Sequence, residues 1–194
     1  MIIFPTGIVI TDTENKGLLH IVADPEAWLL AAITEKARLR REALIAEWRP
    51  RLFADPAVTE LPADDEDLCT LIMARSDYKT RLQQDAAQDP PESPYRHNIA
   101  RHAAIDRSGT TVTLFASGID LTDTDTNCIL AYIQDLSDWV LGALLGQINR
   151  GKKQMIAKYE PIIRADPAVT TMPATEDGLI NMIVARDDYK AMNN

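Results

Sequence analysis

Ala54-Asp-Pro-Ala-Val-Thr59 recurs unchanged as Ala165-Asp-Pro-Ala-Val-Thr170, 111 positions further along the chain. With the same shift, residues 1–83 align with residues 112–194 without a gap, and roughly a third of the aligned positions are identical. This self-similarity indicates a duplicated unit. Because the period is much longer than that of solenoid or propeller repeats, we expect each copy to be a small domain. The pair should then resemble a fused dimer with a pseudo-twofold axis.

The hydrophobic pattern of each copy predicts a short β-ribbon, a long helix and a second, antiparallel helix, so the expected fold class is α+β and mainly α-helical. In the first copy, the ribbon would consist of Gly7–Ile10 and Leu18–Val22 around the polar turn Thr11–Gly17. The second ribbon strand has an alternative interpretation as the start of a helix. The corresponding segments of the second copy are Thr113–Ala116 and Ile129–Ile133, around Thr122–Asn127.

The long helix is predicted from its capping residues and from a hydrophobic stripe. Asp24 is suited to the N-cap and Pro25 to the first helical position, and Asp55-Pro56 marks the end of the helix. The stripe is interrupted at Arg41 in one copy and at the aligned Lys152 in the other, which indicates a turn that faces solvent or a partner. The stripe residues are Leu30, Ile33, Ala37, Leu44, Trp48 and Leu52, aligned with Leu141, Leu144, Ile148, Met155, Tyr159 and Ile163.

The segment between the copies, residues 84–111, is a proline-rich linker. Three prolines within five residues favour an extended, stiff connection, and a connection of this length is unusual inside a compact domain unless it has a function. We therefore expect Pro90–Ile105 to lie against the protein's own surface or a neighbouring chain. The candidate interaction residues of the linker are Pro90, Tyr95, His97 and His102.

The charge and apolar content exclude several classes of function. A net charge of −9 argues against nucleic acid as a partner, because phosphate binding requires a concentrated basic face. The most basic run, Lys36–Arg41, lies inside a helical pattern and is interpreted as a solvated helix face. No apolar run approaches the length of a membrane span, and the N-terminal residues lack a signal-peptide pattern, so we expect synthesis in the cytoplasm. Cys69 and Cys128 are expected to be free, buried thiols.

The polar motifs do not predict a cofactor, a metal ion or a catalytic residue. Asp123-Thr-Asp-Thr-Asn127 resembles the opening of a calcium loop, but Cys128 takes the place of the loop glycine and Gln134 that of the bidentate glutamate. A turn with side-chain-to-backbone hydrogen bonds is therefore favoured. The three histidines lack the spacing of a metal site. The acidic cluster Asp64–Asp67 is expected to stabilise the N-terminus of the second helix rather than to act in acid–base chemistry.

Six residues are predicted to be structural anchors. Arg75, with Asp77 and Tyr78 beside it, recurs in the second copy, and we expect the arginine to bond the loop between the helices while the tyrosine packs beneath it. A partner-binding role is the alternative for this group. The tryptophan near the start of each long helix is expected to anchor the ribbon to the helices. The anchors are Trp28, Arg75 and Tyr78, aligned with Trp139, Arg186 and Tyr189.

Three segments, Phe4-Pro-Thr-Gly-Ile-Val-Ile-Thr-Asp-Thr13, Lys16-Gly-Leu18 and Asp24-Pro-Glu-Ala-Trp28, resemble a group of small bacteriophage proteins. Such proteins tend to be encoded among tail and fibre genes. The resemblance implies a non-enzymatic virion protein, associated with the tail or fibre, that binds other virion proteins or copies of itself in an oligomeric assembly. A capsid decoration protein is the neighbouring alternative, and a small-ligand or metal-binding regulator is an alternative of another class. Members of the group are often a single copy, so the duplication is a departure from their pattern.

Overall fold

The computed structural model of the chain describes residues 1–87 and 97–191. Helices make up 59% of the protein, and the sheets are small and antiparallel, so the fold is α+β and mainly helical. In chain order the elements are β1 (Ile2–Ile3), β2 (Ile8–Thr11), α1 (Asp12–Leu19), α2 (Pro25–Ala54), α3 (Asp65–Met73), α4 (Arg81–Ala87), α5 (His97–Ala103), β3 (Thr111–Leu114), β4 (Ile119–Asp120), α6 (Asp123–Leu130), α7 (Leu136–Ala165) and α8 (Glu176–Val184).

The strands pair between the halves of the chain, and the prediction of a ribbon within each copy is wrong. Strand β1 pairs with β4, with Ile3 opposite Ile119, and β2 pairs with β3, with Ile8 opposite Leu114. In the connection from β1 to β2, Phe4 and Gly7 have positive φ angles, of 49° and 78°, and the Gly7 amide donates to the Phe4 carbonyl at 2.8 Å. Each strand of one half is therefore completed by the other half.

The segments predicted as turns form helices α1 and α6 instead, together with the first two residues of each predicted second strand. Thr11 starts α1 with a capping box, in which its hydroxyl accepts a hydrogen bond from the Glu14 amide (3.2 Å) and its own amide donates to the Glu14 carboxylate (2.8 Å). Thr122 caps α6 by accepting from the Asp125 amide at 3.0 Å. The run from Leu18 to Val22 supplies apolar residues typical of a strand, but the capping box in Thr11-Asp-Thr-Glu14 already fixes a helix.

The long helices end where the sequence predicts. Asp24 caps α2 through the Ala27 amide at 3.0 Å, Pro25 is its first residue, and Asp55 is its C-cap. Asp135 caps α7 in the same way. The predicted acidic N-terminus of the second helix is also confirmed, since Asp64 accepts from two amides at the start of α3.

Helices α1 and α6, called the short helices below, each pack against the opposite half of the chain. Helix α1 lies against α7 and α8, where Lys16 Nζ donates to Asn181 Oδ1 at 2.8 Å. Helix α6 lies against α2 and α3, and Cys128 of α6 is part of the buried cluster formed around Trp48 of α2. The halves therefore interlock: each hairpin of a long and a second helix packs against a short helix from the other half.

Helix α1 crosses α7 at two glycines. A Cβ on Gly151 would lie only 1.9 Å from the carbonyl oxygen of Gly17, so the two backbones are in direct contact. Lys152, where the hydrophobic stripe is interrupted, lies at this crossing: its Cγ is 2.6 Å from where a Cβ on Gly17 would lie, and its Nζ pairs with Glu176 and Asp177 of α8, both at 3.2 Å. At the aligned position of α2, Arg41 pairs with Asp125 of α6.

The predicted stripes are buried with one exception, Leu30. This side chain is 44% exposed, whereas its neighbour Leu29 is fully buried and the aligned Leu141 is 3% exposed. The difference arises from α5, which packs against α7 beside Leu141 and places the Asn98 amide nitrogen 2.6 Å from where a Cβ on Gly142 would lie.

Substitution of Gly151 by alanine tests the helix crossing. The new methyl group would overlap the Gly17 carbonyl, so α1 must move away from α7, and we expect a loss of about 1–3 kcal/mol in the free energy of unfolding, measured by chemical denaturation. The matched control is Gly146→Ala in the same helix, where no described atom lies within 4 Å of the new Cβ. That control should gain about 0.5–1 kcal/mol. Equal stability of Gly151→Ala and wild type would contradict the backbone contact.

Candidate interaction surface

Arg75 joins the two helices of the first hairpin through the loop between them. Its guanidinium pairs with Asp55, the C-cap of α2, at 2.8 Å and with Asp77 at 3.1 Å. Asp55 also accepts a hydrogen bond from the Ala57 amide at 2.9 Å. These two contacts, the amide first and Arg75 second, lower the pKa of Asp55 below its ordinary value of 3.8.

Arg186 makes the same contacts in the second half. It bonds Asp166, the C-cap of α7, at 3.1 Å and Asp188 at 2.8 Å. The Ala168 amide and Arg186 lower the pKa of Asp166, and Arg186 lowers that of Asp188. Because both carboxylates belong to the same hairpin as the arginine, this constellation has the geometry of a structural clamp.

The tyrosines of the repeated motif contact the opposite half. The Tyr78 hydroxyl donates to the Asn127 carbonyl of α6 at 3.4 Å, and its ring lies 6.1 Å from that of Trp48. Burial raises the pKa of Tyr78 to about 12. Tyr189 lies against Tyr159 and stacks on His20 at the end of α1, with ring centroids 5.9 Å apart. Both tyrosines therefore hold a short helix from the other half in place.

Trp28 and Trp139 are half-buried against the central cluster, against which Phe4 and Phe115 of the strand connections also pack. Trp139 also lies beneath a cation, because Lys36 Nζ is 5.1 Å from the centre of its ring. Burial first, and then the nearby charge of Arg40, lowers the pKa of Lys36.

The basic run of α2 is not a solvated face, and that expectation is wrong for three of its four cations. Lys36 lies over Trp139, the Arg40 guanidinium lies 4.9 Å from the ring centre of Tyr132, and Arg41 pairs with Asp125. Only Arg38 bonds its own helix, where it bridges Glu35 and Glu42. The basic run faces the second half because α6 and the start of α7 cross α2 there.

The linker lies against both halves from residue 97 onward. The Asn98 and Ile99 amides donate to the buried Asp138 carboxylate of α7 at 2.9 and 3.0 Å. His102 Nε2 and Arg107 Nε lie 2.9 and 3.0 Å from the Val9 carbonyl of β2. Burial first, and Arg107 second, lowers the pKa of His102. His97 begins α5, and Pro90 and Tyr95 lie outside the described residues.

The two cysteines are free and buried, as expected, and they meet between the halves. Cys69 on α3 donates to Cys128 on α6. This hydrogen bond raises the pKa of Cys69, and burial raises it further. The same bond lowers the pKa of Cys128 and outweighs burial, which acts in the opposite direction. The sequence alignment could not show this contact, because it pairs Cys69 with Ile180 and Cys128 with Gly17.

Helix α2 exposes apolar side chains where α7 does not. Leu30 is open to solvent while Leu141 lies beside α5, and Phe53 is 74% exposed where the aligned Arg164 is paired with Glu160 at 2.5 Å. Phe53 borders a groove of about 540 Å³. The groove is lined by Glu42, Ile45, Ala46, Arg49, Pro50, Phe53 and Asp65.

We define the open face of α2 as the four exposed residues that align with the α7 residues beneath α5. Their counterparts on α7 are Asp138, Leu141, Gly142 and Leu145, of which Leu145 is 7% exposed. The open face consists of Ala27, Leu30, Ala31 and Thr34. Within the described residues, the first half leaves this surface exposed, whereas α5 covers its counterpart in the second half.

Across residues 1–87 and 97–191, no group of three histidine, cysteine or acidic side chains has the arrangement of a metal site. None of the helices in these ranges is long and apolar enough to cross a membrane. Comparison with known family models, with curated proteins and with solved structures found no significant match. The geometry of the chain itself is therefore the basis for a functional proposal.

Replacement of Arg75 by glutamine tests the clamp through its pH dependence. The pKa of Asp55 is lowered in the folded protein, so the pair stabilises the fold above the ordinary aspartate value of 3.8, and this contribution is lost as the pH falls through the folded-state pKa. We expect Arg75→Gln to unfold at lower urea concentration than wild type at neutral pH. The difference should close below pH 3.8.

The matched control for the clamp is Arg150→Gln, which removes an exposed cation of α7. It should leave the urea midpoint close to that of wild type at both pH values. A deficit of Arg75→Gln that persists unchanged in acid would show that the side chain acts by packing rather than through Asp55.

Proposed function

We propose that the protein is a tandem duplication folded as an intertwined pseudo-dimer. The strand pairing supports this, because a shift of 111 positions converts the pair Ile8–Leu114 into the pair Ile119–Ile3, which is also observed. Such reciprocal contacts are the property of a twofold interface. The same shift converts the bounds of α1, α2 and α3 into those of α6, α7 and α8.

The function that this architecture supports best is that of a non-enzymatic structural adaptor. A pseudo-dimer presents two related surfaces that have diverged, so it can bind two different positions of an oligomeric assembly. The resemblance of the Phe4–Thr13 and Asp24–Trp28 segments to small bacteriophage proteins supports a place in a virion, at the tail or fibre. The partners would be other virion proteins.

The observation that carries the proposal is the difference between Leu30 and Leu141. The two residues align, yet one is 44% exposed and the other 3% exposed beside α5. Because α5 shows that this face of a long helix accepts a helix, the open face of α2 is suited to a helix from a neighbouring protein. Ala27, Ala31 and Thr34 are small enough to allow its close approach. Phe53 adds a second apolar position that only the first half presents.

The substitution Leu30→Glu tests this role without disturbing the core. Because Leu30 is exposed, we expect the free energy of unfolding to change by no more than about 0.5 kcal/mol. The variant should nevertheless be lost from purified particles of a phage that encodes it, as measured by quantitative mass spectrometry. The matched control is Ile162→Glu, since Ile162 is an exposed apolar residue of α7 (41% exposed) outside the proposed surface.

Two results would contradict the proposal. Absence of the wild-type protein from purified particles would exclude a virion role. Incorporation of Leu30→Glu at the wild-type level would show that the partner binds elsewhere on the protein.

A further inference from the structure

His20 and Ala131 occupy matching positions with different side chains. Each is the C-cap of its short helix, with φ and ψ of −65° and −29° at His20 and of −61° and −27° at Ala131. The two Cβ atoms therefore leave equivalent backbone conformations in the same direction relative to the helix that each ends. The two sites therefore start from the same local backbone geometry.

The His20 ring, at the end of α1, packs against two tyrosines of the second half, and we call this site the niche of His20. Its centroid lies 5.9 Å from that of Tyr189, with the planes 23° apart, and 6.3 Å from that of Tyr159 in an edge-on arrangement. The Nδ1 atom of His20 is buried without a hydrogen-bond partner among the described residues. Burial first, and then the charge of Lys158, lowers the pKa of this imidazole, so the ring is neutral at pH 7.

The first half has the same aromatic pair without the histidine. The rings of Trp48 and Tyr78 are 6.1 Å apart at an angle of 57°, whereas those of Tyr159 and Tyr189 are 5.5 Å apart at 59°. Ala131 replaces His20, and a cavity of about 400 Å³ is present beside it. A methyl group stands here where the other half has an imidazole, and the cavity is also walled by Lys79, Arg81 and Gln84.

One position of the cavity wall differs in charge from its counterpart beside His20. Glu47 aligns with Lys158, and its carboxylate accepts hydrogen bonds from the Tyr132 hydroxyl at 3.3 Å and from Arg51 at 3.2 Å. Glu47 thus places a hydrogen-bond acceptor in the cavity wall at the position where the second half has Lys158. The cavity is lined by Leu44, Glu47, Trp48, Arg51, Asp77, Tyr78, Lys79, Arg81, Gln84, Ala131 and Tyr132.

We propose that this cavity is a binding site for an imidazole ring, which would stack on Tyr78 as His20 stacks on Tyr189 and would donate its N–H to an acidic side chain of the wall. The ring could be supplied by a free imidazole-containing small molecule or by a histidine side chain of a partner protein. Both sources share the planar ring and the N–H donor that the cavity accommodates. The site is separate from the open face of α2.

The wild-type protein can be tested directly by NMR titration. We expect 4-methylimidazole to shift the indole N–H resonance of Trp48 in a saturable manner. The expected Kd is about 1 mM, because the affinity of a ligand is limited by its small number of atoms. The indole resonance of Trp28, which does not line the cavity, is the internal control. The absence of a saturable shift at Trp48 would overturn the proposal.

A second titration distinguishes the two sources of the ring. N-acetyl-histidine-methylamide presents the same ring on a peptide backbone. Binding of both probes would support a histidine side chain of a partner as the occupant. Binding of 4-methylimidazole alone would support a free small molecule, because the cavity would then exclude the backbone.

Two substitutions test the site by exchanging the side chains at positions 20 and 131. Ala131→His should fill the cavity with its own ring and abolish the Trp48 shift, and the folded variant should be at least as stable as wild type. His20→Ala should open a second site, so that 4-methylimidazole also raises the unfolding midpoint of this variant. Undiminished binding of 4-methylimidazole to Ala131→His, or failure of that variant to fold, would show that the cavity does not accept the ring.

Discussion

Helix α1 rests on α7 at a point where both helices carry glycine, so that Gly17 and Gly151 bring the two backbones into contact. With only 8 residues, α1 is too short to be stable by itself, and its stability derives from burying Leu18 in the other half. The capping box at Thr11 ties the start of α1 to the end of β2, and β2 in turn pairs with β3. Docking of α1 on α7 thus also positions β2 and, through strand pairing, β3 at the start of the second half.

The second crossing keeps this topology with different chemistry. Cys128 and Arg40 align with the two glycines, and both carry side chains, so α6 cannot approach α2 as closely as α1 approaches α7. The additional space is filled by side-chain contacts: Cys128 with Cys69, and Arg41 with Asp125. Helix pairs with matching bounds in the two halves therefore form two dissimilar interfaces. The substitution of His20 by Ala131 at the end of the second short helix adds a further difference between the halves.

The sequence predicted those features that local chemistry decides. Caps such as Asp24 and Asp64, and the aspartate–proline pairs that end the long helices, depend only on neighbouring residues, and the alignment transferred each of them to the second half. The predictions that are wrong concern contacts between residues that are far apart in the sequence. The exposure of Leu30 depends on whether α5 covers its face, and the basic run was assigned to solvent because its partners, such as Tyr132 and Asp125, lie about 90 residues away. A hydrophobic stripe indicates which face is apolar, but not which element will cover it.

The interlocked halves impose an order on synthesis. When Gly17 leaves the ribosome, the surface it must contact lies 134 residues further along the chain, so at roughly 5–20 residues per second the wait is on the order of 10 s. During that time α1, with its apolar face, has no native partner, and the α2–α3 hairpin lacks α6. The nascent first half is therefore exposed to association with another nascent chain, whose α6 would fit equally well. Because both halves are in one chain, the correct partner is present at high local concentration as soon as α7 has been synthesised.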